Sequence, residues 1–465
     1  MRIGAVITAS VLIASSAALV TYAAVLNATS VKTIANVWPV IALLSLPAAL
    51  GLAFAPKLAR LPQNTATIQV IFVIGLMMRL LWFGTPAPLE DDYHRYLWDG
   101  AVLASGHSPY RYAPATVLAH ADAIPKALEV LAAAHGATLS RINFPGVTTI
   151  YPGTGQMAFV LANWIAPFDI DGLRTVFLIC EILTFALITK ILCLLGRSPA
   201  FVALYWCNPL VVFVLIGTVH MDAMLPPLLL GSCLAVAHMR PTLGAGLLGL
   251  AVGVKLWPVL LAPIAVRPIM RNPKPFVWPA IVFLLTAALT VLPVMAASLT
   301  NKSGLTAYAA GWHSANAFYE WMSYAVYLAV GESDMAQRVL RACVALAAVA
   351  LAGMVWLRPP ETLEARLTGL LSVGAIVFYF SPAQFPWYAI WFLAPAAVLQ
   401  CWPLLAASLT LPSYYLFFPL WESGRGPLFS YGVAFVHSLP VIGLLLRSWL
   451  LQRRGDRHPG KAIAT

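Results

Sequence analysis

Glu90, Asp91 and Asp92 stand side by side, and Tyr93, His94, Arg95, Trp98 and Asp99 follow directly. A solvated aspartate ionises near pH ~3.9, so both aspartates carry charge in water. Held against a substrate, such a carboxylate can act as general base toward an attacking hydroxyl. The same residues at the start of a helix would also be favoured by its dipole, with no chemistry implied. Their neighbours give the chemical reading its content. Arg95 and Arg111 can pair with phosphate as well as carboxylate, and Trp98, Tyr110 and Tyr112 offer flat faces of the kind that stack on sugar rings. Together they suit a site that receives a charged lipid phosphate at a membrane interface, with a carboxylate poised over its head group.

A second signal comes from charges inside apolar stretches. Lys255 lies in GLAVGVKLWPVLL, where a central charge costs about 2.5–3.5 kcal/mol to insert. It therefore marks a functional site, unless it snorkels or forms an ion pair with Glu181 or Asp222. His220 and Asp222, in GTVHMDAM, sit at a junction between apolar stretches, where structural capping is at least as good an account as chemistry. His94, His107, His120 and His135 do not have metal-ligand spacing, so no metal site is expected. Nor is there a phosphate-cradling loop, a dinucleotide fingerprint or a nucleophile elbow.

The chain that must position these groups has 465 residues, 61% hydrophobic and only 10% charged, with a mean hydropathy of +0.83. Soluble domains carry about 25% charged residues, so this is an integral membrane protein. Apolar stretches of about 20 residues fit helices that cross a hydrocarbon core of about 30 Å. Fourteen spans are read, at 3–26, 38–55, 67–84, 150–167, 173–195, 199–216, 221–238, 243–265, 276–298, 336–357, 367–381, 386–401, 403–419 and 428–450. The first is taken as an uncleaved span, because its apolar run exceeds the ~7–15 residues of a signal-peptide core. The expected fold is thus an all-α polytopic bundle of about 12–14 helices, forming one domain over residues 1–465.

The net charge of +11 is read by position and does not imply a nucleic-acid partner. Lys and Arg collect in cytoplasmic loops. With the N-terminus inside, the inner segments hold Arg2, Lys57, Arg60, Arg174, Arg267, Arg271, Lys274, Arg358, Arg366, Arg453, Arg454, Arg457 and Lys461. The loop 85–149 is then external, with 299–335, 381–386 and 421–427, whereas GTVHMDA at 217–223 falls inside. Within 85–149, DDYHRYLWDGAVLAS and a stretch around IPKALEVLAAA have helical apolar spacing and suit helices lying in the membrane interface. The six cysteines lie in apolar stretches without a CxxC pair, as small buried hydrophobes would.

Six stretches, EDDYHRYLWDGAVLASGHSPYRYAP, TIYPGTGQMAF, YWCNPLVV, GTVHMDA, GVKLWPVLLAP and SPAQFPWYAIWFLAP, in this order, resemble the GT-C superfamily of polytopic glycosyltransferases. They look most like its bacterial GT87-like (DUF2029-type) mannosyltransferases. The resemblance implies transfer of a sugar, mannose first among candidates, from a polyprenyl-phosphate donor to a lipid or glycan acceptor. Transfer would invert the sugar carbon and need no cofactor or obligatory metal. It implies an inner-membrane protein with its active site on the periplasmic or exterior face. Asp92 aligns with the presumed base, with Asp91 the alternative. Arg95, Arg111 and Lys255 become candidates for the donor phosphate, and Trp98, Tyr110, Tyr112, Trp387 and Tyr388 for the sugar and lipid head. The rival class is a transporter or lipid flippase, which would use Glu181, Asp222 and Lys255 as a pathway and would show paired broken helices in two halves.

Overall fold

A chain in lipid must satisfy its backbone hydrogen bonds internally, and the computed structural model does this with helices, with no strand among the described residues. These are residues 3–29, 32–119, 124–266, 277–299, 303–311, 313–357 and 360–457. His120, Arg2, Arg358, Lys461 and the RPIMRNPK turn lie outside them. The protein is an all-α polytopic membrane protein. Among the described residues eight helices are long and apolar enough to span, or nine if the bent pair Pro199–Trp206 and Pro209–Gly217, which meet at 54°, is one span. Four further apolar helices are shorter: Thr65–Leu80, Met221–Ala237, Pro241–Val252 and Pro386–Leu399.

Two of the fourteen expected spans, 150–167 and 243–265, take another course. The stretch 150–167 forms Gly153–Ile165, a helix of 13 residues that at ~1.5 Å per residue reaches only ~20 Å of the ~30 Å required. Its first turn donates from Thr154 N to Gly253 O at 3.0 Å, beside Lys255, and its last turn abuts Gly172. Asp171 and Arg174 in turn bond to Gly84 N and Thr85 O, just before the carboxylate run. Both ends therefore lie on the carboxylates' face.

The stretch 243–265 folds back instead of crossing. Its helix stops at Val252, and Gly246, Gly249 and Gly253 meet Val282, Thr286 and Thr290 in succession. Pro241–Val252 and Val277–Ser298 thus run parallel, so Val277 starts on the same face as Pro241. Lys255 occupies the turn of this hairpin rather than the middle of a span.

The two corrections cancel in the count of crossings. Only the segments between them change face: Arg174 joins the carboxylates, and so does GTVHMDA. Arg197 instead reaches Glu364 at 2.6 Å and Val398 O at 2.9 Å on the opposite face.

The bent pair is explained by Asn208–Pro209, because a proline disfavours helical geometry in the residue before it. The carbonyl of Trp206 freed at this break accepts from Arg79 at 2.7 Å. Arg79 also pairs with Glu181 at 2.6 Å, both side chains fully buried, and Tyr205 donates its hydroxyl to Glu181 at 2.7 Å. Glu181 is therefore the partner of Arg79 and not of Lys255. Removing one member of a buried pair costs about 3–5 kcal/mol, since it strands the other charge. Arg79→Ala should lower unfolding stability in detergent by that order, and Arg79→Met with Glu181→Leu should recover much of it.

The helix Asp92–Ala104 is not an interfacial one. His94 through Val102 are buried, and a Cβ on Gly100 would fall 2.4 Å from Phe159 O, so the two helices touch backbone to backbone. Trp98 and Val102 join Val117, Leu128, Leu139 and Ile142 in a small core under the loop. Lys126–Leu139 keeps a one-sided burial, through Leu128, Ala132 and Leu139. All six cysteines are free, but Cys193 and Cys343 are exposed rather than buried.

Candidate active site

Asp92 opens its helix, and the residues one turn on, Arg95 and Tyr96, share its face. All three line a cavity of about 1020 Å³ together with Glu90, Asp91, Lys255, Trp387 and Tyr388. Asp91 stands at the N-cap without capping; its carboxylate instead accepts from Asn143 Nδ2. Arg95 holds the segment that carries Asn143, donating to Asn143 O, Phe144 O and Val147 O at 3.0–3.2 Å. One turn further, buried Asp99 accepts from Gln156 Nε2 at 3.0 Å, and Gln156 also bonds Thr149 at 3.1 Å. This network fixes the base of the cavity behind the carboxylates.

Crowding three carboxylates against the protein shifts their titration. Burial, and then Asp92 and Asp91, push Glu90 well above the usual carboxylate range. Burial raises Asp91, opposed by the Asn143 hydrogen bond. Burial and the charge of Asp91 lift Asp92 to about 6, with Lys255 and Asn143 pulling the other way. Asp92 still presents 31% of its side chain. It is thus a partly desolvated carboxylate, ionised at neutral pH and basic enough to take a proton.

The fold-back turn and the bent helix complete the site. Lys255 Nζ sits 2.9 Å from Asp222 Oδ2, and Trp391 Nε1 donates to Asp222 Oδ1 at 2.8 Å. The ammonium lies 4.0 Å from the centre of the Tyr388 ring and 5.4 Å from that of Trp391, distances at which a ring face attracts a cation. His220 stacks on Trp387 at 3.8 Å, and its Nδ1 is 3.9 Å from Asp92 Oδ2. Among the described residues neither ring nitrogen of His220 has a hydrogen-bond partner. GTVHMDA, expected on the opposite face, is therefore part of this site.

Not every candidate residue reaches the cavity. Trp98 and Tyr112 serve the small core, the Tyr110 hydroxyl donates to Tyr151 O at 2.8 Å, and Arg111 lies 5.3 Å over Tyr112. Trp98 misses because, six residues on, it lies about 120° around the helix from Asp92, on the side that packs in the small core. Conversely, Asn143, Tyr308, His313, Glu320 and Tyr414, which no sequence pattern marks, line the cavity. They come from segments far apart in the chain, and none carries a local motif. Among the described residues no group of three or more His, Cys, Asp or Glu is placed to hold a metal ion.

No curated protein and no solved structure matches the chain. Residues 149–271 match the profile of a family described as alpha-(1->6)-mannopyranosyltransferase, N-terminal domain. The matched stretch contains His220, Asp222 and Lys255, and it supports a mannosyltransferase of the membrane.

Proposed function

We propose that this chain is a GT-C-type glycosyltransferase that moves mannose from a polyprenyl-phosphate donor to a hydroxyl of a lipid or glycan acceptor. The observation that carries the reading is one cavity in which the partly exposed Asp92 carboxylate and a lysine flanked by aromatic rings both face the space. Asp92 takes the acceptor proton as the acceptor oxygen bonds to C1 of the sugar. The C1–O bond to phosphate breaks, and the lipid phosphate leaves with the electron pair. A single displacement inverts C1. Lys255, held by Asp222, offsets the charge that collects on the departing phosphate, an electrostatic role of the kind that dominates many enzymes. Nothing in the step calls on a metal or a nucleotide. A transporter would need its intramembrane charges along one path, yet Glu181 is sealed by Arg79 and Tyr205.

Incubating the purified protein with radiolabelled polyprenyl-phosphate mannose and a synthetic octyl α-mannoside tests the reading. Label should pass to the mannoside, and absence of transfer at any pH would discard it.

In the same reading the site faces the exterior. Lys57, Arg60, Arg197, Arg240 and Arg366 lie in or beside short connections on the face opposite Asp92, and such residues mark the cytoplasm. Ser105, exposed after the Asp92–Ala104 helix, provides the check. In a background without the native cysteines, Ser105→Cys should react with a membrane-impermeant maleimide on intact cells. Reaction only after lysis would reverse the orientation.

A further inference from the structure

The cavity has a polar feature apart from the carboxylates and Lys255. His313 Nδ1 and Glu320 Oε1 are 2.7 Å apart, with the glutamate side chain 8% exposed and the histidine 41% exposed, and both line the cavity. Their segment is hydrogen-bonded to its neighbours. Ser314 N donates to Pro382 O at 3.1 Å, and Gln384 N donates to Ser314 O at 3.0 Å. Asn316, the cap of the helix Ala317–Val330, donates to Ser381 O at 2.7 Å, and His437 meets Ala315 O at 3.2 Å. The helix that carries Glu320 packs on the turn 429–433, as does the helix carrying Phe417 and Trp421. Trp321, next to Glu320, fixes this contact by donating to Tyr431 O at 3.0 Å. Ser430, Phe417 and Trp421 line the cavity as well, and Trp421 is 61% exposed. A buried carboxylate, a more exposed imidazole, a hydroxyl and a broad ring are thus grouped on segments distinct from those that bear Asp92 and Lys255.

We propose that this group is the subsite for the acceptor, and that the acceptor presents a saccharide there. Glu320 accepts hydrogen bonds from its hydroxyls, His313 orients Glu320 and contributes a further polar contact, and Trp421 offers its face to the sugar ring. A buried carboxylate oriented by a partner discriminates against ligands that lack the hydroxyl, because its remaining acceptor capacity would then go unused. The proposal rests on the glycosyltransferase reading and names the side of the cavity that its acceptor occupies.

The test measures binding of octyl α-mannoside to the full-length protein in detergent, without donor. Glu320→Ala and His313→Ala should each weaken binding about tenfold or more, and Glu320→Gln less than Glu320→Ala. In transfer assays the loss should appear in the acceptor KM and not in the donor KM. Unchanged mannoside affinity in Glu320→Ala and His313→Ala overturns the proposal, and so does a rise confined to the donor KM. If Glu320→Ala fails to fold, Trp421→Ala, at an exposed position, takes its place under the same criteria. Absence of transfer by the wild type would discard the enzymatic reading, while the binding result would still decide the subsite.

Discussion

Asp92→Asn should lower the rate of mannosyl transfer by about 10²–10⁴-fold, the span associated with loss of a general base, while leaving the donor KM close to wild type. The amide keeps the shape and the placement beside His220 but cannot accept the proton. The pH dependence gives an independent readout. Because the proposed base must be ionised, wild-type kcat should fall as pH drops through about 6, the value to which burial and Asp91 lift Asp92. Asp91 raises that value by charge repulsion. Asp91→Asn should therefore move the acid limb to lower pH while retaining substantial activity at neutral pH. If Asp91→Asn abolishes transfer and Asp92→Asn only shifts the limb, the roles of the two aspartates are exchanged.

Lys255→Ala should produce a second large loss, about 10²–10³-fold in kcat for removal of one preorganised charge stabiliser. The same change strands Asp222, which is 1% exposed, so a lowered unfolding midpoint is expected as well. The double variant Lys255→Ala with Asp222→Asn separates the two effects. Its stability should recover, because no buried charge is left unpaired, and its transfer rate should not, because the cation proposed to meet the phosphate is still missing. Recovery of both would show that Lys255 serves only to neutralise Asp222.

Several residues that line the cavity stood out before its geometry was known. Three adjacent carboxylates in a chain with so few charges called for an account, and Lys255 stood out by the cost of its position. Trp387 and Tyr388 lay in a stretch singled out by resemblance, and both line the cavity. The aromatic candidates of the first loop fared differently. Tyr110, Arg111 and Tyr112 have side chains suited to a sugar phosphate, yet their contacts are to the loop's own core and backbone. Residue type does not specify which side of a loop faces a cavity.

By itself the sequence determined the class of molecule, because apolar runs long enough for lipid leave helices as the means of closing the backbone. It also determined that a carboxylate cluster and a lysine demanded partners. Only the tertiary structure decided who those partners are. Hydropathy measures how much apolar chain there is, not whether that chain continues or turns back. Gly153–Ile165 is too short to cross, and the chain after Val252 returns. These two departures reverse the face of every segment between them and then cancel. That is why His220 and Asp222, expected on the face opposite Asp92, lie beside it and Lys255 instead. Their pairing with Asp92 and Lys255 depends on a bend at Pro209 and a turn at Gly253, contacts between segments that no local pattern encodes.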